Sequence, residues 1–120
     1  MGQAHPIALV VEDDFFQRLT LTMLLQESEI DVIECDSAEA ALRELEKTGE
    51  RVSMLLTDVN LAGKIDGVEL AHFAHESYPE MHVVVTSASP PIRSLPEGAT
   101  FMSKPLLALD VIREAERSRH

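Results

Sequence analysis

"RVSMLLTDVNLAGKIDGVEL", residues 51–70, decides the fold. Its second half fits the calcium-loop pattern D-x-[DN]-x-[DN]-G-x5-E at Asp58, Asn60, Gly63 and Glu69, and departs from it at Ala62, which offers no ligand. A calcium hand needs a helix on each side of its loop. Here the residues before Asp58, "VSMLLT", form a short apolar run that reads as a strand buried on both faces. After the turn, "DGVELAHFAHESYP" opens with Asp66 and Gly67, reads as a helix and is stopped by Pro79. Strand, aspartate, turn and helix in that order make a unit of an α/β protein, with Asp58 at the carboxyl end of its strand.

The same alternation runs outward in both directions. "IALVV" (7–11) is a buried strand that stops at "EDD", and "FFQRLTLTMLLQES" follows as a helix, with Asp14 as N-cap and Phe15, Phe16, Leu19, Met23 and Leu24 at helical spacing. "DVIEC" (31–35) is a second strand, and "DSAEAALRELEKTG" a helix with Asp36 and Glu39 in capping-box spacing and Gly49 as its stop. Downstream come the strands "MHVVVTS" (81–87) and "ATFMS" (99–103), and a final helix with Leu106, Leu109, Ile112 and Ala115 along one face. Between those two strands "ASPPIRSLPEG" (88–98) carries Pro90, Pro91 and Pro96 where a helix is due. Proline removes amide donors and restricts its predecessor, so the segment is expected to be a loop or a single turn. The expectation is one α/β domain over residues 1–120, a parallel sheet with helices on both faces.

Charge narrows the function. Ten Lys and Arg against 21 Asp and Glu give a net −11, with no basic cluster beyond Arg113, Arg117 and Arg119. That excludes a nucleic-acid footprint and disfavours anionic membranes. Cys35 is the lone cysteine, so no intrachain disulfide forms, and the absence of a signal-peptide pattern suggests a cytoplasmic location. No apolar run is long enough to span a bilayer.

Chemistry in an open parallel sheet gathers at the carboxyl ends of its strands. Glu12 and Asp13 follow the first strand, Asp58 ends the third, Thr86 and Ser87 end the fourth, and Lys104 follows the fifth. Carboxylates crowded into one small site need raised pKa values or a cation. Hard oxygen ligands with open positions suit Mg2+ (or Mn2+), beside which a carboxylate can attack a phosphoryl group. His72 and His75, three apart on one helix, lack an evident third ligand for a metal of their own.

"VVEDD", "LLTDVNL…DG", "VVVTS" and "FMSKP", in this order and at these strand ends, resemble the receiver domain of two-component response regulators over about residues 6–118. The resemblance implies a flavodoxin-like (βα)5 fold, a doubly wound five-stranded parallel sheet of strand order 2-1-3-4-5 with the fourth helix shortened or replaced by a loop. It makes Asp58 the phosphoacceptor, and Glu12 and Asp13 the acidic pair for Mg2+, with Asp13 the more direct ligand. Asn60 would offer its backbone carbonyl to the metal, Lys104 would contact the phosphoryl oxygens, Thr86 would be the switch hydroxyl and Phe101 the switch aromatic. It also implies a cis bond between Lys104 and Pro105. The expected partners are a histidine kinase or histidine phosphotransfer protein and a downstream protein. The chain would be a stand-alone receiver and not a conventional turnover enzyme. Two alternatives stay open: a degenerate receiver acting only as a binding module, and a small aspartyl-phosphate phosphatase, which would want an acid where Asn60 stands. Ala62, in place of a usual proline, and one extra residue mark the turn after Asp58 as a departure from the family.

Overall fold

The computed structural model describes residues 5–118; Arg119 of the C-terminal basic group lies outside them. The strands are β1 (Ile7–Val11), β2 (Asp31–Cys35), β3 (Val52–Asp58), β4 (His82–Ser87) and β5 (Thr100–Ser103). The helices are α1 (Phe15–Glu27), α2 (Ala38–Thr48), α3 (Gly67–Ser77) and α4 (Ala108–Arg117). All strand pairs are parallel and the order is β2-β1-β3-β4-β5.

Period-two alternation builds a core on each face. Leu9, Val11, Leu55, Val83 and Val85 point to one face, where Ala38, Ala41 and Leu45 of α2 and Leu70, Ala71 and Ala74 of α3 cover them. Ala8, Val10, Met54, Leu56 and Val84 point to the other, beneath Leu21 and Leu25 of α1 and Val111 and Ala115 of α4. The chain leaves β1 toward β2 and returns across it to β3. The strand order therefore reverses between β1 and β3, and a crevice opens at their carboxyl ends.

Four local expectations need correction. The N-cap of α2 is Ser37, not Asp36: its hydroxyl accepts from Ala40 N at 3.1 Å, while Glu39 turns away from the cap. Gly49 is not a left-handed stop; its φ of −52° continues into a 3-10 turn, Gly49–Arg51. A Cβ there would lie 2.3 Å from the Tyr78 ring, so a larger residue would displace that ring, whose hydroxyl donates to Leu45 O at 2.9 Å. On α1, Phe15, Phe16 and Met23 face solvent, and Leu21, Thr22 and Leu25 face the sheet. That helix is apolar nearly all round, so spacing alone offers two equivalent stripes. On the last helix Leu109 is 72% exposed, and the buried stripe is Val111, Glu114 and Ala115. Leu106 precedes the helix, so a stripe phased from it does not follow the helix's buried face.

Residues 88–98 hold no helix, as their prolines require. The segment is nevertheless tied down. Arg93 pairs with Asp66, Ser94 O contacts His72 Nε2 at 2.8 Å, Leu95 packs on the α2–α3 core, and Pro96 is buried.

Candidate active site at the carboxyl ends of the strands

Sheet register brings the acidic groups together. Val11 pairs with Thr57 and Asp58 with Thr86, so the residues just past β1 stand beside the end of β3. Glu12 continues the ladder by donating its amide to Cys35 O at 3.1 Å, which turns its side chain into the crevice. The next two residues divide the work. Asp13 stays exposed, and Asp14 caps α1 by accepting from Gln17 N at 2.9 Å. Carboxylate oxygens of Glu12, Asp13 and Asp58 lie within 4.8 Å of one another.

Lys104 closes the group from β5. Its Nζ donates to Glu12 Oε1 at 2.8 Å, to Asp58 Oδ2 at 3.0 Å and to Gln17 Oε1 at 2.7 Å. Glu12 is 2% exposed and Asp58 8%, so these contacts are poorly screened. Burial raises the Glu12 pKa, although hydrogen bonds from Lys104 and the Asp14 amide oppose the rise. For Lys104, burial lowers the pKa, but hydrogen bonds to Glu12 and Asp58 outweigh it and leave the ammonium above its ordinary value. The Lys104–Pro105 peptide bond is cis, as the resemblance implied.

The chain after Asp58 approaches its own aspartate closely. Asn60 N donates to Asp58 Oδ1 at 3.3 Å. Gly67 N donates to Val59 O at 2.9 Å, and a Cβ on Gly67 would lie 1.8 Å from Asp58 O. Only glycine lets the first turn of α3 rest against the site in this way. The capping box of Asp66 and Glu69 fixes where that helix begins.

Thr86 is buried beside Asp58, but its hydroxyl turns back to Thr57 O at a long 3.5 Å. Ser87 Oγ accepts from Ser89 N at 3.3 Å. Phe101 is half-buried and lines a recess with Pro105, Leu107 and Arg113; it takes no part in the carboxylate contacts. His72 is engaged with Ser94 and shares no metal-ligating group with His75 among the described residues.

The residues fit a divalent cation. Ligand oxygens about 2.1 Å from a magnesium ion stand up to about 4.2 Å apart across it, close to the spread of these carboxylates. Three carboxylates facing one ammonium also leave an excess of two negative charges when all are ionised. Asp13, which is exposed, and Asp58, whose Oδ1 accepts only a long 3.3 Å contact from Asn60 N, are the direct candidates; the two Glu12 oxygens are held more tightly, by Lys104 at 2.8 Å and the Asp14 amide at 3.1 Å.

Sequence reasoning missed four supporting residues: Gln17, Arg18, Glu39 and Gly67. Arg18 Nη1 donates to Glu12 O at 2.8 Å while its Nε pairs with Glu34 at 3.2 Å, fixing the acidic turn to β2. Gln17 and Arg18 lie one turn into α1 from that pair, and this spacing was the available signal. Glu39 and Gly67 act through contacts that only the folded chain creates.

A model of the response regulator receiver domain family matches residues 8–114. Comparison with curated proteins finds no match. Among solved structures, the receiver domain of the hybrid histidine kinase CckA is 25% identical with a TM-score of 0.83, over 95% of this chain and 99% of that one. The receiver domain of NtrX from Brucella abortus is 28% identical with a TM-score of 0.77, over 92% and 96%. A response regulator receiver domain protein from Clostridium thermocellum, 20% identical over 94% and 93% with a TM-score of 0.84, shares the fold.

Proposed function

Because this chain belongs to the response regulator receiver domain family, we propose that it accepts a phosphoryl group on Asp58 from a histidine kinase or histidine phosphotransfer protein, in a Mg2+-dependent reaction. The observation that carries the reading is Lys104 bridging Glu12 and Asp58 at 2.8 and 3.0 Å, with Asp13 alongside, at the reversal point of the sheet.

In the proposed transfer an Asp58 carboxylate oxygen attacks phosphorus, the P–N bond to the donor imidazole breaks, and the imidazole leaves with the electron pair. A divalent cation held by Asp13, Asp58 and the Asn60 carbonyl would neutralise the phosphoryl oxygens. Lys104 already sits on Asp58 Oδ2, so its ammonium needs little movement to meet a phosphoryl oxygen. The Thr86 hydroxyl gives up only a 3.5 Å contact to turn toward the new group, which suits a switch. Phe101 would follow it. Phe16, Leu24, Leu106 and Ala108 line a mostly apolar groove that Lys104 also lines, where a phosphodonor would rest.

The resulting signal is a population shift read by a downstream protein, and the chemistry is the chain's own phosphorylation and dephosphorylation, not turnover. The proposal places the protein in the cytoplasm; no helix among the described residues is long and apolar enough to cross a membrane. Incubation with acetyl phosphate, with and without Mg2+, followed by intact mass, tests the reading. One added phosphoryl group only with Mg2+ is the expected result. No uptake would favour a receiver that only binds partners, and steady release of phosphate from a phosphomonoester would favour a phosphatase.

A further inference from the structure

The loop between β3 and α3 leaves the site at Asp58 and returns to it at Gly67. It carries Ala62, exposed, where proline would stiffen the chain. Its rigidity comes instead from outside. At its crest Gly63 adopts φ +107° and lies against the Glu39 carboxylate of α2: a Cβ there would be 2.8 Å from Oε1 and 3.0 Å from Oε2. The next amide, Lys64 N, donates to Glu39 Oε2 at 3.0 Å, across 25 residues of sequence. Glu39 is placed for this by the first turn of α2, where free amides favour negative charge. Its own amide and those of Lys64 and Ile65 hold its pKa below the ordinary value. Oε1 is buried without a hydrogen-bonding partner, so the carboxylate has turned into the loop and not out to water.

We propose that Glu39 is a positioning residue of the phosphoacceptor site: it tethers the Gly63–Lys64 crest to α2 and so keeps the Asn60 carbonyl at the cation position. The inference rests on the receiver reading above and adds a residue that touches neither the phosphoryl group nor the metal. The far end of the loop is tied independently, by Asp66 to Arg93 and by the α3 capping box. Losing Glu39 therefore loosens residues 60–64 and leaves α3 in place.

The test is Mg2+ binding by calorimetry to the wild type, Glu39→Ala and Glu39→Gln, with the Asn60 and Lys64 amides followed by NMR. Groups that orient a metal ligand commonly change affinity by at least about ten-fold when removed, and that loss is expected for Glu39→Ala. Glu39→Gln keeps an oxygen for the Lys64 amide and should stay close to the wild type, with the Lys64 resonance unmoved. Phosphorylation of Glu39→Ala should recover at saturating Mg2+, because the defect is in affinity. Equal affinity in Glu39→Ala and the wild type would overturn the proposal. Equal weakness in both variants would also overturn it, since the effect would then be charge and not the tether. Failure of the wild type itself to bind Mg2+ would instead remove the Mg2+-dependent phosphoacceptor reading beneath it.

Discussion

Gly67→Ala perturbs the site through its backbone. The added methyl would lie 1.8 Å from Asp58 O, 2.7 Å from Asp58 C and 2.9 Å from Val59 Cα. None of these is the end of a flexible side chain, so β3 and α3 must part by roughly 1.5 Å to restore ordinary carbon–oxygen contact. Overpacking of this kind costs about 1–3 kcal/mol, and the rigid neighbours place it at the upper end. Helix propensity works in the opposite direction, favouring alanine by about 1 kcal/mol, so the sign of the stability change shows which effect wins. The net expectation is a loss of about 2 kcal/mol in urea unfolding. A displacement near 1 Å at a reacting group costs on the order of 100-fold in rate, so phosphorylation by acetyl phosphate should slow by about that factor. Gly98→Ala is the control: its φ is +84° and nothing lies within 4 Å, so it adds backbone strain of about 1–2 kcal/mol and leaves the rate alone. Wild-type stability and rate in Gly67→Ala, or equal slowing in Gly98→Ala, would refute the reasoning.

Three further outcomes follow from the geometry. Glu12, raised above its ordinary 4.5, stabilises the fold when protonated; that contribution is fully present below pH 4.5 and is lost as pH rises through its folded value. In cation-free buffer Glu12→Gln should therefore keep this stability and flatten the curve just above that pH, while Lys104, raised above 10.5, loses its own contribution only above that value. Asp13→Ala should weaken Mg2+ binding, measured by calorimetry, more than Asp14→Ala, whose side chain caps α1. Ser37→Ala should cost about 1 kcal/mol in thermal or urea unfolding, against almost nothing for Asp36→Ala, because the hydroxyl of Ser37 accepts the Ala40 amide.

The strand ends were legible because the buried β1 and β3 are largely apolar runs that stop at the residue doing the chemistry, and the half-exposed β5 stops at Lys104. Val11 gives way to Glu12 and Asp13, Thr57 to Asp58, and Ser103 to Lys104. Three prolines likewise announced the missing helix. The face of α1 was not legible, since Phe15, Phe16 and Met23 are as apolar as the Leu21 and Leu25 that the sheet takes. Asp36 and Ser37 are both capping types, and only the backbone turn selects the second. The Glu39 tether and the Gly67 approach join residues far apart or separated by a loop, so no local pattern marks them. The packed state of residues 88–98 was hidden for the same reason: Arg93 and His72 find Asp66 and Ser94 only after α3 is in place.

Localising the phosphoryl group tests the central claim most directly. After incubation with acetyl phosphate and Mg2+, tandem mass spectrometry of the peptide spanning β3 and the loop after it should place one acid-stable, base-labile phosphoryl group on Asp58, and Asp58→Asn should take up none. Label on any other residue, or wild-type uptake by Asp58→Asn, would contradict the account.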